Sequence, residues 1–265
     1  MFKKKQLKII FLILAIILLT FLIIIISNRF INKSIFANEM NSFAQKNEKT
    51  IFSINKCIFF SSCDAKNRTN SSTTFTIENL YQYTDIALFL NNNSDNFTLE
   101  NTLKNAKINN INFYKSPSLG TPGLYYKNLN HFAQSDIIDN NLISDELNFN
   151  ISSDDNTSLD TPTLYNNCAN PIVLSYINQN IKSDYTITDT SKSITYDGSL
   201  LKTCGILLNS INCSLSFDIY ITNNLNQEFK CTVYLNIPLE ESSNSIYNGS
   251  VTLKQNTNYK FYRYK

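Results

Sequence analysis

The chain has 265 residues, with 23 Lys and Arg, 21 Asp and Glu and a single histidine, for a formal net charge of +2. Four lysines ahead of the first apolar run account for that sign, and the remainder carries −2, with no basic field to attract nucleic acid. Five glycines leave no phosphate-cradling loop, and one histidine without any Cys-x-x-Cys pair argues against a zinc site.

The first predicted element is a membrane span. Lys3, Lys4, Lys5 and Lys8 precede an unbroken apolar run from Ile9 to Ile26, in which only Thr20 is not a hydrocarbon side chain. At 1.5 Å per residue such a run covers about 27 Å, the thickness of a bilayer core. Positive charge stays on the cytoplasmic side, so residues 1–8 read as a cytoplasmic basic tail and 9–26 as a transmembrane helix. Everything after Ser27 is then expected outside the cytoplasmic membrane. A cleavable signal fits less well, because the run is long and the first small-residue cut, after Ala37, lies eleven residues beyond Ile26. No cysteine follows the run until Cys57, so a lipoprotein-type junction is absent, and no glutamate within or before it suggests prepilin assembly.

Residues 27–50 are polar with weak periodicity and read as a stalk. From Thr50 onward the pattern alternates with period two, the signature of half-buried strands. Ile86 to Leu90 is apolar on both faces and reads as a central strand. Leu99, Leu103 and Ala106, following Thr98, have the spacing of one short helix. Leu147, Phe149 and Ile151 alternate with Asn148, Asn150 and Ser152. Tyr185 and Ile187, then Ile194 and Tyr196, predict a short strand pair. Ile211, Cys213, Leu215, Phe217, Ile219 and Ile221 form one inward face, and Phe229, Cys231, Val233, Leu235 and Ile237 form another after a polar turn at Thr222 to Glu228. That pair predicts a β-hairpin. The tail from Tyr259 to Lys265 alternates aromatic and basic side chains, as an edge strand does.

These elements predict an all-β fold, an antiparallel β-sandwich in one large module or two small ones, behind a single N-terminal transmembrane helix. An internal echo favours two. Thr121-Pro122-Gly123-Leu124-Tyr125, followed by Asn130, matches Thr161-Pro162-Thr163-Leu164-Tyr165, followed by Asn170. Each copy leads into a strand through a Pro-fixed turn, which places the modules at 51–160 and 161–265. Asparagine far outnumbers glycine and tolerates left-handed backbone, so pairs such as Asn109–Asn110 and Asn223–Asn224 serve where turns are needed.

Six cysteines (Cys57, Cys63, Cys168, Cys204, Cys213 and Cys231) lie beyond the apolar run. An even number outside the cytoplasm permits disulfides, while free buried cysteines acting as small hydrophobes fit equally well. A turn centred near Leu225 sets Cys231 opposite Ile219, which argues against a direct bond to Cys213.

Leu201-Lys202-Thr203-Cys204 resembles the Leu-x-Thr-Cys nucleophile strand of the sortase transpeptidases, which are also often N-terminally anchored β-barrels. The resemblance implies a cysteine transpeptidase centred on Cys204, with His131 upstream and an arginine stabilising the oxyanion. The chain departs from that pattern because no arginine follows Cys204 until Arg263. His131, between Asn130 and Phe132, reads as a surface-loop residue, and no Ser-His-Asp set exists without it.

Between Lys127 and Lys182 there is no basic residue, while Asp136, Asp139, Asp145, Glu146, Asp154, Asp155 and Asp160 are all acidic. Asp154, Asp155, Asn156 and Asp160 share a loop by pattern. Calcium takes such oxygens, but the order is not that of an EF-hand, and a solvated acidic loop is the simpler reading. Tyr125, Tyr126, Tyr259, Tyr262 and Tyr264 offer aromatic surface for a partner.

No catalytic residue, cofactor or metal ligand is therefore assigned. The expectation is a membrane-anchored, extracytoplasmic β-sandwich with a binding, adhesion or envelope-structural role. Its partner would be an extracellular or envelope protein, or a glycan. The alternative is the Cys204 transpeptidase.

Overall fold

The computed structural model of the chain describes residues 2–46, 50–70, 74–94, 96–137, 139–154, 161–189, 193–237 and 245–265. It divides into two compact units, Met1–Lys49 with Tyr262–Lys265, and Thr50–Phe261.

The first unit is built on α1 (Phe2–Lys46), one continuous helix. The residues read as a stalk therefore continue the apolar helix as far as Lys46. Its side chains from Ile9 to Ile26 are exposed on every face, as a lipid-facing helix requires, and the Lys8–Ser42 stretch is long and apolar enough to cross a membrane. Thr20, the single hydroxyl in the run, donates back to the Ile17 carbonyl at 2.8 Å, so no polar group there lacks a partner. Phe36 meets Tyr262 edge to face, with ring centroids 5.9 Å apart.

The second unit is mostly β. Its strands are β1 (Phe52–Asn70), β2 (Phe75–Asn92), β3 (Leu103–Lys115), β4 (Thr121–Tyr126), β5 (Leu147–Ser152), β6 (Thr163–Tyr165), β7 (Ile172–Ile187), β8 (Cys213–Asn223), β9 (Glu228–Ile237) and β10 (Val251–Lys260). Two short helices, α2 (Ser199–Thr203) and α3 (Leu208–Ile211), lie between β7 and β8. The first sheet runs β10-β1-β2-β7-β4, all antiparallel. In the second sheet the unit's strands run β9-β8-β3-β5-β6, antiparallel except for the β5–β6 pair.

Both sheets draw strands from either side of residue 160, and β1 pairs with β10 almost the whole length of the unit away. The division into modules at 51–160 and 161–265 is thus replaced by one large sandwich. The two Thr-Pro echoes do lead into strands, β4 and β6, but in different sheets. They meet where the Tyr126 hydroxyl donates to the Thr161 carbonyl at 3.0 Å.

The core lies between the sheets. Phe52, Ile54, Cys57 and Phe59 of β1 and Ile86 and Leu88 of β2 face Phe217 and Ile219 of β8 and Phe229 and Val233 of β9. Phe52 and Phe229 close this contact edge to face, with ring centroids 5.5 Å apart. β2 is central and buried on both sides. Its outer face carries Tyr81 and Tyr83, which cluster with Tyr125, Ile177 and Ile137.

Two local readings change. Residues 99–102 form a turn and Leu103 opens β3, so the short helix is absent. A register shift between Leu103 and Asn105 turns both Leu103 and Ala106 inward, which imitates helical spacing. Tyr185 and Ile187 end β7, but Ile194 and Tyr196 lie in irregular chain. The expected edge strand is present in part, as β10 borders the first sheet and contains Tyr259 and Lys260.

Candidate functional site

The hairpin of β8 and β9 has two faces with opposite chemistry. Cys213, Leu215, Phe217, Ile219 and Ile221 point into the core, so Ser214, Ser216, Asp218, Tyr220 and Thr222 must point outward. On β9 the alternation leaves Lys230, Thr232, Tyr234 and Asn236 outward. The register sets Ser216 opposite Tyr234, Asp218 opposite Thr232, and Tyr220 opposite Lys230. On the other side β3 brings Lys107 opposite Tyr220. A bulge between Asn109 and Asn112, with Asn110 in left-handed backbone at φ 53°, projects the Asn110 amide over the strand.

Tyr114 and Tyr234 stack on this surface with ring centroids 6.3 Å apart and planes 18° from parallel. Each is 59 % exposed, although aromatic rings of this size are usually covered. The Ser216 hydroxyl donates to the Tyr114 hydroxyl at 2.9 Å and steadies it. Next along the face, the Tyr220 ring lies between two cations, with Lys107 Nζ 5.9 Å and Lys230 Nζ 5.5 Å from its centroid.

Asp218 organises the polar part. Its Oδ2 accepts from Lys230 Nζ at 2.8 Å and from Asn110 Nδ2 at 2.7 Å, and its Oδ1 accepts from Thr232 Oγ1 at 2.6 Å. Burial pushes the Asp218 carboxyl up, but the bonds from Lys230, Thr232 and Asn110 and the lysine charge outweigh it and hold the acid below its ordinary range. At the β5 side, Lys107 pairs with Glu146 at 2.7 Å, and the Asn148 amide donates to Glu146 Oε1 at 2.8 Å. The result is a sheet face with two stacked rings beside a network of hydrogen-bonded hydroxyl, amide and paired charged groups.

The residues singled out from sequence lie elsewhere. Tyr125 and Tyr126 are each only 7 % exposed, and Tyr259 is half-buried with its hydroxyl donating to the Tyr234 carbonyl at 3.1 Å. Tyr262 and Tyr264 are half-buried in the first unit. Cys204 follows α2 and packs against the inner core, and burial raises its thiol pKa, the opposite of what a thiolate nucleophile needs. His131 is exposed in the turn that follows β4, where its Nδ1 lies 3.2 Å from Asp136. Cys204 and His131 thus have different surroundings, the inner core for one and Asp136 for the other.

All six cysteines are free thiols. Cys231 faces Ile219, and Cys213 faces Ile237, as the turn position predicts. Of the acidic loop, Asp154 is exposed, while Asp155, Asn156 and Asp160 lie outside the described residues. Among the described residues no three His, Cys, Asp or Glu side chains converge as metal ligands.

Tyr114, Tyr220 and Tyr234 were legible only as the complement of the inward face. An outward file of Asp218 and Tyr220 against Lys230 and Tyr234 was the available signal. Comparison with protein-family models, with characterised proteins and with solved structures gives no match to this chain.

Proposed function

We propose that this protein is a single-pass binding protein of the cell membrane, with its N-terminus in the cytoplasm and the sandwich outside, and that the Tyr114–Tyr234 face takes a glycan. The observation that carries the reading is the exposed stack of those two rings. A pyranose ring is apolar on its C–H faces and polar around its edge. A surface suited to it offers an aromatic plane with hydroxyl and amide groups at the margin.

The chemistry around the stack favours this ligand over others. A protein interface needs a contiguous apolar centre, whereas the neighbours of the stack are Ser, Thr, Asn and paired charges. A nucleic acid needs a basic stripe, whereas Lys230 and Lys107 are each engaged by a carboxylate at 2.8 and 2.7 Å. The lysines before the run and the all-round apolar face of α1 support the orientation.

The test is retention of the detergent-solubilised full chain on an oligosaccharide array, beside its Tyr114→Ala and Tyr234→Ala variants. Wild type binds a subset of saccharides, and each folded variant loses at least about tenfold in affinity, as a hot-spot aromatic does. Absence of any saccharide binding, or equal binding by both variants, overturns the reading. Protease added to whole cells should digest the sandwich, and protection until lysis would reverse the orientation.

A further inference from the structure

On the outer side of the first sheet, away from the tyrosine stack, lies a buried charge pair that the glycan-binding reading leaves unused. Asp85 of β2 is 0 % exposed and Lys127, just past β4, is 1 % exposed. Lys127 Nζ approaches Asp85 Oδ1 at 3.0 Å and Oδ2 at 2.8 Å. Its ammonium also lies 5.2 Å from the centroid of the Tyr83 ring.

Each carboxyl oxygen has its own further donor. The Ser175 hydroxyl donates to Oδ1 at 2.7 Å, and the backbone N–H of Ala133 donates to Oδ2 at 2.8 Å. Ala133 holds φ 64°, a left-handed conformation that costs an alanine about 1 kcal/mol or more, and so is fixed by its surroundings. The Gln134 carbonyl accepts from Lys127 Nζ at 2.6 Å. Amine, carboxyl carbon, two donors and a proton acceptor thus converge in one site shut off from water.

An ion pair is poorly stabilised where water is excluded, and proton transfer within it gives a neutral amine touching a neutral acid. Burial raises the Asp85 carboxyl above its ordinary range, against the lowering effects of Lys127, Ser175 and Ala133. Condensation removes both charges, and the released water leaves to bulk.

We propose that Lys127 and Asp85 form an intramolecular isopeptide bond. In the step, the ammonium proton passes to the carboxylate, and the Nζ lone pair attacks Cγ of Asp85. The Nζ–Cγ bond forms. Ser175 and Ala133 hydrogen-bond the two oxygens of the tetrahedral intermediate, as donors do at an oxyanion. The Cγ–Oδ2 bond then breaks, and Oδ2 leaves as water with the proton received at the outset and a second one from Nζ. Oδ1 remains as the amide carbonyl under Ser175, and the one remaining N–H points at Gln134. No oxidant or second reactant is needed.

The bond would have a mechanical consequence. Asp85 is paired with Ser175 of β7, and Ser175 in turn with Tyr125 of β4, so the bond would bridge β2 to the end of β4 across the strand between them. It would close a loop between residues 42 apart in sequence. A tethered surface protein pulled by its ligand gains resistance to unzipping from such a cross-link.

Intact-mass spectrometry of the reduced, denatured full chain tests the proposal. The expected mass is one water below that of the sequence, and trypsin should leave Lys127 uncut within a branched peptide that also contains Asp85. The Lys127→Met variant should return to its full sequence mass. A wild-type chain of full mass that is cut after Lys127 overturns the proposal, and so does a Lys127→Met chain that still lacks one water.

Discussion

The Tyr114 ring stacks on that of Tyr234 at 6.3 Å between centroids, and its hydroxyl accepts a hydrogen bond from Ser216 at 2.9 Å. The plane and the hydroxyl of Tyr114 can therefore be separated by substitution. Tyr114→Phe keeps the stacked plane and should hold saccharide affinity within about threefold, a difference worth less than about 1 kcal/mol. Tyr114→Ala removes the plane and should cost at least about tenfold. Titration calorimetry of both variants against one array-positive oligosaccharide distinguishes them. Equal losses would place the recognition in the hydroxyl instead.

Asp218 and Lys230 give the sandwich a definable pH dependence. The net shift of Asp218 is downward from 3.8, so its contribution to stability is complete above that value and disappears as pH falls through the lower folded-state pKa. For Lys230, burial pulls the pKa down, but the bond and charge of Asp218 raise it above 10.5. Its contribution is complete below that value and disappears as pH rises through the folded-state pKa. Melting temperatures of wild type and Asp218→Asn should therefore differ by a constant amount across the neutral range and converge below pH 3.8. A gap that persists into strong acid would show that the side chain acts through packing rather than charge.

How far these features were readable from sequence depends on whether they arise within a strand or between distant ones. The β8–β9 hairpin was legible from Cys213 onward, down to Cys231 opposite Ile219, because alternation and one short turn set its register, whereas Ile211, read as the start of its inward face, closes α3 instead. The helix expected from Leu99 failed because the register shift at Leu103 and Asn105 puts three-residue spacing into a strand. The choice of one large sandwich over two small ones was hidden because the β1–β10 pairing joins strands some 200 residues apart, which no local period encodes. Asp85 follows the same rule. It stands beside the apolar stretch Ile86 to Leu90, and its burial depends on Lys127, Ala133 and Gln134, in a segment with no periodic pattern.

The six thiols should differ in reactivity. Burial raises Cys57, Cys63, Cys204 and Cys213 above the ordinary thiol range and pushes Cys168 and Cys231 to about 12. Only Cys168 and Cys204 retain partial solvent exposure. Pulse alkylation of the native chain at neutral pH should modify Cys204 first, ahead of the buried Cys57, Cys63, Cys213 and Cys231, and all six should react in denaturant. Peptide mapping by mass spectrometry reads the order. Early modification of Cys63, which is 1 % exposed, would contradict the packing of β1 against the core.

The two faces of β9 predict opposite responses to truncation. Phe229 is 1 % exposed and meets Phe52 edge to face at 5.5 Å, so Phe229→Ala opens a cavity between the sheets and breaks an aromatic pair. Such a change costs about 3–5 kcal/mol, a large share of the stability of an ordinary domain. Tyr234 lies five residues along the same strand on the outer face, and Tyr234→Ala loses only a surface cross-strand contact worth about 1 kcal/mol or less. Urea unfolding midpoints of the two variants measure the difference directly. Glycan affinity should show the reverse ranking, because Tyr234 belongs to the proposed binding face and Phe229 points into the core. A Phe229→Ala variant as stable as Tyr234→Ala would mean that β9 presents its other side to the core, and the binding face would then be assigned to the wrong set of residues.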